Sequence, residues 1–261
     1  MTASEDLTQH AAEQPPHRKF VGPPEKYDLA AAGQFSLLAA LGLREHHSLL
    51  DIGCGSLRAG KLIIPYLNPG NYCGMEPEQW LIDEGIKSEI GQSLADIKRP
   101  AFSNDTNFTL TVFNRKFDFL LANSVFSHAT QAQIRRCFAQ AKQVLAPTGI
   151  FAATYFEGEE NYEGTEWVYP GRVHYRPEFF AQMASEAGLA CTTLNFTHTN
   201  FQTWVAVTHP EHASAVPSVN DVSRVGVLEH ELQMARERLE ELQKLKGIKM
   251  LKKLNRAIGR R

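Results

Sequence analysis

Cysteine is scarce in this sequence, and long apolar runs are missing. The four cysteines lie far apart in 261 residues and show no paired metal-ligand spacing, so we expect free thiols in a reducing cytoplasm and no bound metal. No segment approaches the ~20 consecutive apolar residues of a membrane span. Residues 1–20 contain no apolar core of a signal peptide. These absences favour a cytoplasmic protein, and 43% hydrophobic with 21% charged residues suffices for one sizeable domain with appendages.

A glycine turn near the N-terminus lacks the features of the common phosphate-binding loops. The apolar residues 49–52 predict a strand, Gly53 and Gly55 a tight turn, and residues 59–64 the start of a helix. A dinucleotide site needs a third glycine at the sixth motif position, which is Arg58 here. The Gly-Lys-Ser or Gly-Lys-Thr of a P-loop is missing as well. Both classes of phosphate site are therefore excluded.

A second apolar strand, residues 72–75, is followed by an acidic residue. It brings Glu76 to the carboxyl edge of the same predicted sheet, where a carboxylate accepts hydrogen bonds from the two hydroxyls of a ribose. A glycine turn beside such a carboxylate favours a nucleoside-containing cofactor. S-adenosylmethionine (SAM) is the common nucleoside cofactor that has no phosphate and needs only a glycine turn under its amino-acid end.

Four segments resemble the motifs of the class I SAM-dependent methyltransferases, of the bacterial small-molecule type. They are residues 50–55, 74–77, 117–128 and 145–151, in the family's order and roughly its spacing. Leu57 departs from the pattern, because many members have a third glycine there. The resemblance implies an α/β fold: a Rossmann-like, doubly wound, mostly parallel seven-stranded sheet with an antiparallel last strand. It also implies SAM as cofactor and methyl transfer as reaction.

The pattern of apolar residues and chain breakers predicts the elements and their grouping. Strands are expected at about 48–52, 72–76, 117–122, 149–156, 189–197 and 201–208, with a strand or loop at 100–112. Helices are expected at about 26–43, 58–67, 78–90, 131–145 and 177–186. We expect a disordered tail over 1–22, a methyltransferase domain over 23–209, a linker over 210–224 and a coiled-coil-like, then basic amphipathic helix over 225–261.

Candidate cofactor contacts follow the predicted strands, because ligands of such sheets bind at the carboxyl ends. They are Asp51, Gly53, Gly55, Glu76, Asn104, Asp105, Asn123 and Ser124. The first three are expected to face the methionine part of SAM. The resemblance implies a polar adenine contact near Asp105, although an aspartate there equally suits a turn cap. Asn123 and Ser124 are expected beneath the transferred methyl group, with a turn role as the alternative.

His128 is the candidate catalytic base for a hydroxyl acceptor, since it follows the fourth strand and histidine titrates near neutrality. A purely structural role in fixing the loop is the alternative. The insertion over 157–176 is long enough to suggest function and mixes aromatic, acidic and basic residues that suit a sugar or a small hydroxylated metabolite. A solvated acidic lid is its alternative. The candidate substrate contacts are Arg58, Tyr162, Trp167, His174 and Arg176.

The C-terminal segment combines a heptad pattern with a basic end. Apolar residues spaced by three and four over three heptads predict a weak homodimer through 225–246, or a helix docked on the body. Residues 244–261 contain eight cations and no acid, interleaved with aliphatic residues. This pattern favours peripheral contact with an anionic membrane over a solvated tail; nucleic acid ranks last, because the segment has no aromatic residue to stack on bases.

The sequence therefore predicts a SAM-dependent methyltransferase that modifies a small polar acceptor, most simply a hydroxyl of a sugar or metabolite. A non-catalytic SAM-binding scaffold is one alternative. A nucleic-acid methyltransferase is a weaker one, because residues 122–125 read Ala-Asn-Ser-Val where exocyclic amine methylation uses an Asn-Pro-Pro-Tyr type motif.

Overall fold

A computed structural model describes residues 14–219 and, further on, five exposed helical positions, which are Leu232, Met234, Arg236, Arg238 and Leu239. The chain divides into two compact units, Met1–Val219 and Asn220–Arg261. Among the residues so described, no helix has both the length and the apolarity needed to span a lipid bilayer.

The first unit alternates strands and helices. Its strands are β1 (Leu49–Ile52), β2 (Tyr72–Met75), β3 (Ala101–Ser103), β4 (Phe117–Ala122), β5 (Leu145–Glu157), β6 (His174–Tyr175), β7 (Ala190–Thr193) and β8 (Thr203–Thr208). Its α-helices are α1 (Pro16–Phe20), α2 (Tyr27–Ala40), α3 (Gly60–Tyr66), α4 (Gln79–Gly85), α5 (Gln92–Lys98), α6 (Gln131–Val144) and α7 (Pro177–Glu186). Short 3-10 turns cover Pro24–Lys26, Leu110–Phe113 and Pro210–Ala215, and a π turn covers Ile86–Ile90.

The strands form one twisted sheet in the order β3-β2-β1-β4-β5-β8-β7. The first five strands along this order are parallel, and β8 runs antiparallel to both of its neighbours. The strand β6 pairs with the end of β5 outside this path. This confirms the predicted α/β fold class. All residues of β1 and β2 are buried, as expected of central parallel strands covered by helices on both faces.

The core lies on both faces of the sheet, because alternate side chains of a strand point to opposite sides. On one face, Phe138 of α6 and Phe180 of α7 pack with Leu50 of β1 in a single apolar cluster. On the other face, Leu38 of α2 and Ile63 of α3 pack with the neighbouring residue of β1, Leu49. The sheet is thus held between two packed layers.

Several predicted elements have different bounds. The helix expected over 78–90 ends as an α-helix at Gly85, and the chain turns at Gly91, whose φ is +81°. The unpredicted α5 starts just after that glycine. The strand expected over 189–197 ends at Thr193, and the strand expected from 149 begins at Leu145.

The predicted disordered tail over 1–22 is wrong for residues 14–22. They include α1, which starts at a proline, as helices often do. His17 of α1 is buried, with its Nε2 3.0 Å from Oε1 of Glu89, and Arg18 donates to the same carboxylate. Partners 71 and 72 positions away cannot be seen in the local pattern. Residues 1–13 lie outside the described residues.

The predicted linker over 210–224 also needs correction. Residues 210–215 form a 3-10 turn, and Val216 and Val219 pack into the apolar cluster beside α2 and α3. The catalytic unit therefore extends to 219 rather than 209. Of the predicted helix over 225–261, only five positions, which include Leu232 and Leu239, fall within the described residues.

Candidate functional site

A cavity of about 1010 Å³ opens at the carboxyl ends of β1, β2 and β4. Its walls come from the β1–α3 turn, the N-terminal segment 19–26, the loop 156–172 and residues 200–202. Ligands of open parallel sheets bind at this edge, where neighbouring loops diverge. This cavity is therefore the candidate active site, and it is called the main cleft below.

The β1–α3 turn depends on backbone conformations that favour glycine. Gly53 and Gly55 have φ of +70° and +54°. A Cβ on Gly53 would lie 2.7 Å from a side-chain carbon of Val125, and one on Gly55 would lie 2.8 Å from a side-chain carbon of Val21. Leu57 has φ of +59°, so the turn keeps a left-handed residue where many family members have glycine.

Glu76 is held at the rim of the turn by two backbone donors. Its Oε2 accepts the Gly55 N–H at 3.0 Å, and its Oε1 accepts the Glu78 N–H at 3.1 Å. Burial raises the pKa of this carboxyl above its usual value. Each oxygen still has a lone pair, so the carboxylate can accept hydroxyl donors from the cleft.

Asp51 lies deeper in the main cleft. Its Oδ2 accepts the Tyr72 hydroxyl at 2.8 Å. Burial raises the pKa of the Asp51 carboxyl to about 7, although this hydrogen bond and the charge of Arg58 oppose that rise. A cationic ligand group beside Asp51 would favour the ionised carboxylate.

His128 lies on the opposite wall, in the loop after β4. Its Nδ1 is 2.9 Å from the carbonyl oxygen of Val168 and 2.7 Å from that of Gly171. Carbonyl oxygens only accept, so Nδ1 carries the hydrogen, and in the neutral ring Nε2 has the free lone pair. The imidazole lies between the rings of Trp167 and Tyr169, at centroid distances of 5.6 and 5.2 Å.

Comparisons with known proteins agree with this geometry. Residues 50–151 match a family model described as a methyltransferase domain. The glycopeptide N-methyltransferase MtfA, in complex with S-adenosylhomocysteine, is similar at 14% identity and a TM-score of 0.54, over 70% of this chain and 90% of that one. The CcbJ methyltransferase from Streptomyces caelestis is similar at 15% identity and a TM-score of 0.55, over 72% of this chain and 91% of that one. The magnesium protoporphyrin IX methyltransferase ChlM from Synechocystis PCC 6803 is similar at 12% identity and a TM-score of 0.55, over 73% of this chain and 91% of that one.

The likeness to the solved structures shows a shared fold, and the family model adds the reaction class. Residues 50–151 belong to the methyltransferase domain that the family model describes. This confirms the resemblance found in the sequence, and the cofactor is SAM.

The cleft of this methyltransferase fits SAM in three respects. The glycine turn leaves space that a Cβ would fill, and Glu76 keeps lone pairs for ribose hydroxyls. Arg58 donates from Nη1 to the Val21 carbonyl at 2.8 Å, but its buried Nε–H has no acceptor among the described residues. A carboxylate oxygen, such as that of the methionine part, would complete its hydrogen bonding.

The residues after β3 divide between two roles. Asn104 donates to the Glu76 carbonyl at 2.8 Å and so ties β3 to β2; it does not line the main cleft. Asp105 does line it, and its Oδ1 accepts the backbone N–H groups of Asn107 and Thr109, both at 2.8 Å. The turn-capping role of Asp105 is therefore observed, and its adenine contact stays a prediction.

Asn123 and Ser124 line the cleft at the end of β4. Two residues that the sequence did not single out contact them. His198 Nε2 lies 2.8 Å from Asn123 Oδ1, and Gln202 donates to the Ser124 hydroxyl at 2.8 Å. No sequence signal marks His198 and Gln202, because the pattern predicts strands over 189–197 and 201–208 with only a short link between them.

The five predicted substrate contacts are not brought together. Arg58 and Trp167 line the main cleft. Tyr162 and His174 line a second, more open cavity of about 690 Å³ beside the 157–163 loop. Arg176 lines neither, because its Nε donates to the Glu159 carbonyl at 2.7 Å. The pairing of β6 with β5 brings the two ends of the insertion together beside the second cavity, and its middle part, residues 167–172, reaches the main cleft.

Aromatic side chains missed in the sequence close the outer part of the main cleft. Phe20 packs on Trp80 and Tyr169, at centroid distances of 5.3 and 5.5 Å, and the Tyr169 hydroxyl donates to the Phe20 carbonyl. The N-terminal segment therefore contacts α4 and the 157–176 insertion at once. Phe156 and Phe201 line the same part of the cleft.

Proposed function

We propose that this methyltransferase transfers the methyl group of SAM to a hydroxyl of a small polar acceptor, such as a sugar or a hydroxylated metabolite, with His128 as general base. SAM supplies an electrophilic methyl group on a sulfonium, and the chain supplies alignment and proton removal. The observation that carries the proposal is the hydrogen bonding of His128, which places the hydrogen of the neutral ring on Nδ1 and so keeps Nε2 as the nitrogen with the lone pair.

The proton transfer follows from that arrangement. As the acceptor oxygen bonds to the methyl carbon, the methyl–sulfur bond would break and leave S-adenosylhomocysteine, and Nε2 of His128 would accept the hydroxyl proton. The positive charge that forms on the imidazole is then stabilised by the two carbonyl oxygens at Nδ1–H, those of Val168 and Gly171. Trp167 and Tyr169 flank the ring and limit the orientations that it can adopt.

The cofactor contacts are part of the same proposal. Asp51 faces the ammonium group of the methionine part, with Gly53 and Gly55 beneath it, and Glu76 accepts hydrogen bonds from the ribose hydroxyls. Asp105 would lie at the adenine end, with Asn104 tying β3 to β2 through the Glu76 carbonyl, and Asn123 and Ser124 would lie near the methyl group. The support is that most of these groups meet at one sheet edge, within one cavity.

Two substitutions of His128 test the base. His128→Asn places an amide N–H where Nδ1 donates and keeps the loop contacts, but it removes the base. His128→Gln removes the base and the loop contacts. Both variants should lower kcat about 10²–10⁴-fold, because this is the range for general base catalysis. Affinity for S-adenosylhomocysteine, measured by calorimetry, should stay within about twofold of the parent for His128→Asn, since the nucleoside site is untouched.

The activity is measured by incubating the protein with labelled SAM and a cell extract and identifying the labelled product by mass. His46→Asn, at an exposed position before β1, is the matched control and should retain parental turnover. Parental turnover in His128→Asn would contradict the proposal and favour a structural histidine. A parent that binds S-adenosylhomocysteine but labels no product in any extract would favour the non-catalytic scaffold instead.

We also propose a cytoplasmic location, with residues 244–261 in peripheral contact with anionic membrane. The support is the sequence pattern of eight cations interleaved with aliphatic residues, each cation near such a surface contributing about 1 kcal/mol. Reversing the charge at Lys249, Lys252 and Lys253 in the full chain should abolish sedimentation with phosphatidylglycerol vesicles. Lys87→Glu, on the exposed surface of the first unit, is the control.

A homodimer through 225–246 is the last part of the proposal. Leu232 and Leu239 are seven residues apart, helical and about half exposed, so they present one apolar stripe. Light scattering should give a dimer mass for the parent and a monomer mass for Leu232→Lys with Leu239→Lys. Equal masses would contradict the dimer.

A further inference from the structure

The side chain of His198 is buried behind the end of β4, in the segment between β7 and β8. Its Nδ1 accepts the backbone N–H of Asn200 at 3.1 Å and that of Gln202 at 3.4 Å. Backbone N–H groups only donate, so Nδ1 carries no hydrogen and Nε2 carries it. Burial, together with the nearby charges of Arg58 and Lys26, lowers the pKa of His198 to about 3. The ring is therefore neutral across the physiological range, with one fixed tautomer.

This tautomer sets the orientation of Asn123. His198 Nε2–H donates to Asn123 Oδ1 at 2.8 Å, so the amide oxygen faces the histidine. The amide nitrogen, with two N–H donors, is left for the main cleft, which Asn123 lines. If the Asn123 amide were reversed, its NH₂ group would face the Nε2–H of His198, and two donors would oppose each other. The hydrogen bond from His198 therefore excludes that orientation.

A closed ring of hydrogen bonds orients the next residue in the same way. The Ser124 N–H donates to Thr154 Oγ1 at 2.7 Å, and the Thr154 hydroxyl donates to Gln202 Oε1 at 2.7 Å. Gln202 Nε2 then donates to Ser124 Oγ at 2.8 Å, so the serine hydrogen is free to point elsewhere. The ring also holds Ser124 at φ +60°, a conformation that costs a serine energy.

We propose that His198 and Gln202 are positioning residues that turn Asn123 and Ser124 into a pair of hydrogen-bond donors for a ligand oxygen. The inference rests on the proposed function, in which the ligand is either the methionine carboxylate of the cofactor or an oxygen of the acceptor. Both sources share the required chemistry, because each provides an oxygen whose lone pairs can accept hydrogen bonds from Asn123 and Ser124.

Two substitutions separate this role from a structural role of the loop. The side-chain amide of His198→Gln reaches the place of Nε2 and can still donate to Asn123. The side-chain amide of His198→Asn reaches only the place of Nδ1, so it can still accept from the loop N–H groups but loses the bond to Asn123. The proposal predicts that the glutamine variant retains most of the parental ligand affinity, whereas the asparagine variant loses roughly tenfold to a hundredfold, the range for one hydrogen bond to a charged group.

Calorimetry distinguishes the two sources of the oxygen. S-adenosylhomocysteine contains the amino-acid end, and 5′-methylthioadenosine lacks it. If the donors bind the carboxylate, His198→Asn weakens binding of S-adenosylhomocysteine and leaves that of methylthioadenosine unchanged. If they bind the acceptor, both affinities stay parental, and the KM of the labelled reaction rises with little change in kcat. Asn123→Asp keeps the oxygen that accepts from His198 but replaces the amide donors by a second oxygen. In whichever of these two measurements responds to His198→Asn, calorimetric affinity or acceptor KM, this variant should show at least as large an effect.

Equal behaviour of the two His198 variants in every assay, or better retention by His198→Asn than by His198→Gln, would overturn the inference. Thermal unfolding of each variant shows whether it is folded under the assay conditions. A parent chain that fails to bind S-adenosylhomocysteine would contradict the proposed function itself, which is a separate and recognisable result.

Discussion

The two halves of the main cleft are built differently. The half that we propose for the cofactor, called the cofactor half, consists of Asp51, the glycine turn and Glu76, all at or just after the ends of β1 and β2. The half that we propose for the acceptor, called the acceptor half, consists of His128 and aromatic residues such as Trp167, Tyr169 and Phe201, which come from segments far apart in the chain. One half is positioned by paired strands, and the other by single contacts between loops.

This difference separates cofactor binding from acceptor selection. Gly53 N–H and Cys54 N–H donate to the Met75 carbonyl at 2.7 and 3.1 Å, so the cofactor turn is fixed to β2 by backbone bonds that most substitutions leave intact. The acceptor half is tied by isolated backbone bonds between loops, such as those from the Val168 N–H to the His128 carbonyl at 2.9 Å and from the Val173 N–H to the Ser127 carbonyl at 2.8 Å. Changes in its side chains can alter the substrate without altering the binding of SAM, and each prediction below tests that separation.

The largest effect is expected at Glu76, in the cofactor half. In Glu76→Gln one carboxylate oxygen is replaced by an NH₂ group, which cannot accept a hydrogen bond. Only one of the two backbone N–H groups, that of Gly55 or that of Glu78, then keeps its acceptor. Loss of charged hydrogen bonds to the ribose should cost about 3 kcal/mol, or roughly a hundredfold in affinity for S-adenosylhomocysteine. Calorimetry measures it, and Glu78→Gln at the rim is the control. Unchanged affinity would remove Glu76 from the cofactor half.

The second effect is a pH dependence from Asp51. Its pKa of about 7 means that the carboxyl loses its proton as the pH rises through neutrality. Since the ionised form pairs with the ligand ammonium, affinity for S-adenosylhomocysteine should rise by up to about tenfold per pH unit between pH 5 and 7 and then level off. Titrations across this range should show a flat profile for Asp51→Asn. The same slope in both proteins would assign the pH dependence to another group.

The third effect belongs to the acceptor half. Trp167 is 43% exposed at the mouth of the cleft, beside His128. Trp167→Ala should raise the acceptor KM roughly fivefold, because stacking on an aromatic ring contributes about 1 kcal/mol, while the affinity for S-adenosylhomocysteine stays parental. Steady-state kinetics measure the acceptor KM, and calorimetry on the same preparation measures the affinity for S-adenosylhomocysteine. Equal losses in both measurements would show that the halves are not independent.

The smallest effect is expected at Phe20, which joins the two halves by packing on Trp80 and Tyr169. Phe20→Ala should lower the free energy of unfolding by about 1 kcal/mol, because each aromatic pair contributes of that order. Both the affinity for S-adenosylhomocysteine and the acceptor KM should change by only about threefold. Leu29→Ala, at a 64% exposed position on α2, is the control for truncating a surface side chain. An effect confined to one half would show that Phe20 does not couple them.

The contrast between the halves also explains what the sequence could predict. The strand, turn and helix around Gly53 and the acid at Glu76 are local patterns, so both the sheet and the cofactor edge could be predicted. His198 and Asn123 are 75 positions apart, and His17 and Glu89 are 72 apart. Such contacts depend on how loops pack after the sheet has formed, and no periodicity records them. The division of the insertion between two cavities had the same origin.

The left-handed backbone of Leu57, in the glycine turn, is linked to the packing of its side chain. The residue has a left-handed backbone, which costs about 1–2 kcal/mol for a side chain other than glycine, yet its side chain is fully buried. Gly60 and Gly85 leave the room that it occupies, since a Cβ on either would lie within 3.1 Å of Leu57 carbons. Restoring the family's glycine would relieve the backbone but empty a leucine-sized space, at a cost of about 2–5 kcal/mol. Leu57→Gly would therefore destabilise the fold unless a neighbouring side chain were enlarged to fill the space.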